Sequence, residues 1–433
     1  MTLSPIKEDF IHFLWRTKKI PHHHINSTDH RQIEIIDYGT YNTDSGPDFF
    51  NAKIKIDGIV WAGNIEMHVF SSDWYLHKHQ NDKAYENVIL HVVYEHDKDI
   101  TQQKNGNTIP TLELKGKIPK VYLEQYLGII QSKDPIPCGI QLKSVSPEKI
   151  NLWKYSMAIE RLSQKAISVE SILQSVDGNW EETLYIMVAR YFGARVNAEP
   201  FERLARSLPL SIIQKNKNNL PILEALYFGQ AGMLIANYQD DYYQQLKKEY
   251  AYQQNKLKLT PIDAMTWKFS RLRPQNFPTI RISQFSNLMH QTSFLFSQII
   301  DANHPKEILH LLNAQATDYW TNHYKFDTKS KEVQKITGDD FVYVLLINAV
   351  APVLFLYGKN TNTESYIDTA IQILEDVPAE KNQITTLWKS LGIRCGSGFD
   401  SQALIQLKTK YCDQMRCMEC AIGNDIMNIK SEG

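Results

Sequence analysis

No charge of either sign dominates this chain. Its 433 residues carry 47 Lys and Arg against 48 Asp and Glu, a formal net charge of −1. That excludes a global basic field of the kind that advertises nucleic acid. A DNA or RNA partner would have to be met by local basic patches. Cysteine is scarce, at 5 residues. No apolar stretch follows the N-terminal Met-Thr-Leu-Ser-Pro as a secretory leader would require, so the expected compartment is the cytoplasm. A disulfide is disfavoured there. Long hydrophobic runs are lacking except one, Phe341 to Tyr357. Asn348 and Pro352 interrupt it and no basic flank precedes it, so a buried helix is expected and no membrane contact. No repeat of fixed period is present. Hydrophobic content of 43% and charged content of 22% describe an ordinary globular protein long enough for two or three domains.

What is there is concentrated between Gly46 and His68. The segment opens Gly46-Pro47-Asp48-Phe49-Phe50-Asn51 and closes Glu66-Met67-His68. Ala52, Ile54 and Ile56 alternate with Lys53, Lys55 and Asp57, the period of a strand. Asp57-Gly58 signals a hairpin into a second strand, Ile59 to Phe70. Residues i and i+2 of a strand face the same way, so Glu66 and His68 share a face that Asp48 on the neighbouring strand can join. The elements around this pair are predicted in order. A helix starts at Ser4-Pro5 and runs to about Lys18. Strands follow at Gln32 to Tyr38, Asp48 to Asp57 and Ile59 to Phe70. Trp74 to Asn87 is partly helical and Val88 to Tyr94 is a buried strand. Asn105-Gly106 marks a turn before Thr108 to Leu114.

This arrangement resembles the PD-(D/E)XK nuclease superfamily. Pro47-Asp48 and Glu66-Met67 match its motif, and His68 stands where the superfamily usually has Lys. The resemblance covers about the first third of the chain. It implies an α+β fold, with a restriction-endonuclease-like αβββαβ core over residues 1–131. A larger irregular α-helical domain, residues 146–433, would follow. The whole chain also resembles an uncharacterised bacterial family of unknown function. The residues that carry this are GPDF at Gly46 to Phe49, SSDW at Ser71 to Trp74, NVILHVV at Asn87 to Val93, FGQAG at Phe228 to Gly232, RLRPQNFP at Arg271 to Pro278, and the cysteine-rich end.

The nuclease resemblance implies a metal-dependent nuclease or phosphodiesterase. A divalent cation on carboxylates stabilises charge at a phosphodiester and activates water. Asp48 and Glu66 suit Mg²⁺ or Mn²⁺, with Glu8 a candidate third acid and His68 a candidate general base. Because His68 lacks the permanent charge of Lys, a non-catalytic nucleic-acid-binding scaffold on a degenerate core is the alternative. The bland reading of Pro47-Asp48 is a turn. A second polar cluster, Asp73, Trp74, His77, His79, Asp82, Tyr85 and His91, offers a third function, a metallohydrolase of a small substrate. His77, His79 and Asp82 would be its ligands, although His77 and His79 diverge if they lie on a helix. Otherwise these are structural histidines and caps. His22-His23-His24 reads as a polar loop.

Pro135 and Pro137 mark a linker, and helical patterns dominate from Pro147 onward. Small residues beside bulky ones from Glu224 to Gly232 imply close helix packing. Arg271, Arg273, Asn276 and Arg281, with Trp267 and Phe277, can contact phosphates and stack a base, or tie their loop to the helices. At the far end Cys412-x4-Cys417-x2-Cys420 offers three metal ligands, with Cys395 or Cys138 as a fourth. Four thiolates suit Zn²⁺ or an iron–sulfur cluster; buried inert thiols are the alternative.

Overall fold

The computed structural model describes residues 6–20, 25–101, 108–302 and 305–428. Ser4-Pro5, His22-His23-His24 and Asn105-Gly106 lie outside these residues. The protein is mixed α+β, with an N-terminal sheet followed by a larger helical part. It divides into two compact units: residues 1–154 with 407–433, and residues 155–406. The division falls inside the long helix Pro147–Ser175, beyond the proline linker. The C-terminal segment belongs with the sheet, which no local pattern announces.

In the first unit, seven strands make one sheet in the order β1-β2-β4-β5-β6-β7, with β3 on β4. They are β1 Ile25–Asn26, β2 Gln32–Asp37, β3 Thr40–Tyr41, β4 Phe49–Ile56, β5 Ile59–Phe70, β6 Val88–Glu95 and β7 Thr111–Glu113. β2, β4 and β5 form an antiparallel meander. β6 and β7 then run parallel to β5. The predicted hairpin is present: Asp57 and Gly58 take φ of 48° and 84°, the paired positive angles of a turn whose twist matches the strands it joins. β5 is exposed over its first four residues and buried from Gly63 to His68. Gly63 permits that burial, because a Cβ there would meet Asn87 O at 2.6 Å.

Helix α1, Glu8–Arg16, carries acids in its first turn and Arg16 in its last, as the helix dipole favours. It buries Phe10, Ile11, Phe13, Leu14 and Trp15, each fully buried side chain contributing about 1.5–3 kcal/mol. Phe10 stacks on Tyr126 at 4.1 Å, and the Trp15 indole donates to Tyr38 O at 2.8 Å. After β5 comes a short helix, α2 Asp73–Leu76, then two 3₁₀ turns, His79–Asn81 and Lys83–Tyr85. Trp74, Tyr85, Val88, Ile100 and Ile109 form a small core beneath this segment. Its start is pinned where Asp73 accepts the Phe70 N–H at 3.0 Å and Asp97 accepts the Ser72 N–H at 2.8 Å.

The second unit is helical with one small hairpin, His323–Lys325 with Thr328–Lys329. The expected close packing near Phe228 is present: a Cβ on Gly229 would lie 2.0 Å from the Tyr250 ring. The apolar run lies in helical structure spanning Asp339–Thr361. It is long and apolar enough to cross a membrane, but 72% of its most apolar stretch is buried inside the protein, as in a core helix.

Candidate metal centre

The i, i+2 spacing on β5 puts Glu66 and His68 on one face, both buried, at 5% and 1% exposure. Asp48, at the start of β4, is locked to them through the backbone. Its N–H donates to Glu66 Oε2 at 3.2 Å, and its Oδ2 accepts the Met67 N–H at 2.8 Å. A bulge at Asn51, φ 57°, shifts the β4–β5 register beside this contact. Bulges of this kind re-aim side chains. From α1, His12 Nε2 lies 3.2 Å from Asp48 Oδ2. Glu8, one turn earlier, acts electrostatically on both Glu66 and Asp48's neighbour His12. The sequence reading included Glu8 but missed His12; its i+4 spacing from Glu8 was the available signal.

The second polar cluster joins the same place. His68 Nε2 lies 3.1 Å from His77 Nδ1 and 3.6 Å from Glu66 Oε1. His79 Nε2 lies 3.3 Å from Glu66 Oε1. One donor atom from each of His68, His77 and His79 falls within 4.8 Å of the others. A tetrahedral ion with bonds of about 2.0–2.1 Å spaces its donors about 3.3 Å apart, close to the 3.1 Å between His68 and His77 and the 3.3 Å between His79 and Glu66. His77 and His79 do not diverge because α2 ends at Leu76 and Lys78 takes a left-handed conformation, φ 63°. That reversal, costing about 1 kcal/mol for a non-glycine residue, turns both rings toward His68. Tyr85 stacks on His79 at 3.8 Å and holds it. His79 Nε2 is buried with no hydrogen bond among the described residues, an orphan that asks for a partner. Asp82, expected as the third ligand, is exposed and caps the Ala84 N–H at 2.9 Å instead.

Burial and the nearby Asp48 push the Glu66 carboxyl up to about 9. Burial and the neighbouring imidazoles of His91, His79, His77 and His12 hold His68 far below the usual histidine range. It is therefore a neutral ring, suited to ligation more than to general-base work. Burial raises Glu8, with Asp48 adding to it. For His12, burial opposes charge but Asp48, Glu8 and Glu66 outweigh it, and its pKa is raised.

The other candidates lie in different places. Lys55, on β4, pairs with Glu34 at 3.3 Å. In the helical unit Arg271 and Arg273 are exposed. Arg281 is turned inward: it lies 3.6 Å over the Phe341 ring and donates to Asn276 Oδ1 at 2.7 Å and Gln284 Oε1 at 3.0 Å. Trp267 is buried and donates to Ala231 O at 2.8 Å, which leaves no face for a base. Cys395 belongs to the helical unit, while Cys138, Cys412, Cys417 and Cys420 belong to the sheet unit.

Fold and site together define an α+β protein with a His/Glu group able to hold a metal ion. The chain belongs to the family described as Protein of unknown function (DUF2851), whose model matches residues 8–383. No curated protein and no solved structure matches it.

Proposed function

We propose that this protein is a metal-dependent hydrolase of phosphodiesters, acting on nucleic acid. Its cation would be held by His68, His77, His79 and Glu66. The convergence of those three imidazoles on one another, with His68 and His79 also facing the Glu66 carboxylate, carries the reading. The substrate class rests on the nuclease-like motif and on strand order, a meander followed by a parallel strand. Imidazole donors favour Zn²⁺ or Mn²⁺ over Mg²⁺. A bound cation supplies Lewis acidity and a nucleophilic water near neutral pH. Glu66 would bind such a cation as its carboxylate. Asp48 orients His12 through the 3.2 Å contact. His12, whose pKa is raised, carries the proton that the leaving oxygen takes. The His-rich donor set also favours a second reading, hydrolysis of a small substrate.

Purified protein loaded with Zn²⁺, Mn²⁺ or Mg²⁺ is to be tested on single- and double-stranded DNA and RNA and on a chromogenic phosphodiester and carboxylic ester. Cleavage of a polynucleotide with Mn²⁺ or Zn²⁺, lost in His77→Ala, supports the proposal. Turnover of the small esters alone moves the protein to the second reading, and no hydrolysis with any metal contradicts both.

A further inference from the structure

A cleft in the helical unit is lined by charge that the histidine centre does not use. Its volume is about 460 Å³, within the roughly 300–1,000 Å³ of small-molecule sites. Its lining comes mainly from three helices, Pro147–Ser175, Trp180–Phe192 and Ala198–Ser207. Ile172 and Met187 give it apolar surface and Ser168 a hydroxyl. Arg190 and Arg206 both line it and both pair with one carboxylate, Glu202. Lys165 and Asn348 complete it.

Lys165 is held there by neutral oxygens. Its Nζ donates to Gln402 Oε1 at 2.5 Å, to Asn348 Oδ1 at 2.8 Å and to Ile347 O at 3.3 Å. Ile347 and Asn348 belong to a π-helical turn, Leu346–Val350. Such turns inside a longer helix frequently stand at functional sites. Asn348 Nδ2 donates to Val344 O at 2.9 Å, which leaves its Oδ1 to accept from the lysine. Arg161 Nε donates to the same Gln402 oxygen at 2.7 Å. Two cations thus share one neutral acceptor. Glu380 accepts from the Gln402 amide instead. Buried charge is ordinarily paired. Burial, and then the Arg161 charge, pull Lys165 down to about 7, the mark of an ammonium short of a counter-ion.

We propose that this cleft binds a small organic anion, a carboxylate or phosphate group on an apolar body, with the Lys165 ammonium and the Arg190 and Arg206 guanidinium groups as its cationic partners. Three cations against the single carboxylate of Glu202 leave the lining net positive. A guanidinium has five N–H donors, and Glu202 and Ser175 engage only the Nε and Nη1 of Arg206. Its planar fork matches carboxylate and phosphate oxygens. Ile172 and Met187 supply the surface for the apolar body. The anion brings the counter-charge that Lys165 lacks. The site is independent of the histidine centre and of the hydrolysis proposed there.

The test uses the full-length protein, kept metal-free with chelator so that no hydrolysis enters. Isothermal titration calorimetry is run with phenyl phosphate, with benzoate, and with benzyl alcohol as the uncharged control. Saturable one-to-one binding of at least one anion, with none of the alcohol, is expected, and the anion that binds identifies the head group. Lys165→Met removes a charged hydrogen-bond donor and should weaken that binding about tenfold or more. Ser168→Trp fills the cleft without removing any partner of Lys165 and should abolish binding, which keeps the test decisive where the lysine variant fails to fold. Arg203→Ala, on the helix Ala198–Ser207 but outside the lining, should bind as the wild type does. No saturable binding of either anion, equal binding of benzyl alcohol, or unchanged affinity in Ser168→Trp or in folded Lys165→Met would overturn the proposal.

Discussion

His68 Nδ1 lies 2.8 Å from His91 Nε2, both rings buried, at 1% and 0% exposure. In the parallel pairing of β5 with β6, His91 sits opposite Glu66. A proton on Nδ1 shared with His91 leaves the His68 Nε2 lone pair free to face His77 and Glu66. Partners of this kind typically change metal affinity about 10–100-fold. His91→Phe should therefore weaken zinc binding within that range, without removing it. Titration with a competing chelator measures this, and unchanged affinity would mean that His91 only fills space.

Glu66→Gln and Asp48→Asn should abolish metal-dependent hydrolysis for different reasons. Gln resembles the protonated carboxyl that burial enforces at Glu66, so the metal-free fold should survive while the cation is lost. Asn at position 48 keeps the backbone contacts but loses the charge that sustains the His12 proton, so metal should stay and turnover should fall. His68→Lys, tolerable if His68 merely filled the superfamily's Lys position, should instead eject the cation. Parallel measurement of metal content and rate separates these outcomes.

Lys78 sets the angle between His77 and His79. Lys78→Gly should keep metal affinity and leave stability unchanged within about 1 kcal/mol, since glycine accepts the left-handed conformation. Lys78→Pro, with φ locked near about −65°, should swing His79 away from Glu66 and abolish binding. Binding retained in the proline variant would show that the turn does not build the site.

Much of this centre was legible from residues 46–68. The alternation of β4, the Asp57-Gly58 turn and the two-residue spacing of Glu66 and His68 are local properties, and they placed Asp48 beside Glu66. The joining of His77 and His79 to that pair was not legible. It depends on one left-handed residue, Lys78, which no side-chain pattern demands. His12 was hidden because nothing local on its helix shows that Asp48 packs against it. Arg281 and Trp267 looked available for ligand because burial of a polar loop is decided by tertiary contacts.

Stability should also carry a pH signature from the helical unit. Burial pushes Glu224 up to about 7 from its ordinary 4.5. Ser283 and Thr317 hydroxyls donate to its Oε1 at 2.9 and 2.8 Å. Between those values the folded state binds the proton more tightly than the unfolded one, so stability falls as pH rises through the window. The contribution is at most about 3 kcal/mol. Denaturant melts at pH 5 and pH 7.5 should differ less for Glu224→Gln than for the wild type. An equal pH dependence in both would assign the effect elsewhere.

The histidine centre is tested most directly by a crystal structure of the zinc- or manganese-loaded protein with anomalous data at the metal edge. The account predicts an anomalous peak about 2.0–2.2 Å from His68 Nε2, His77 Nδ1, His79 Nε2 and a Glu66 carboxylate oxygen. A fully loaded crystal with no peak among these four residues would contradict it.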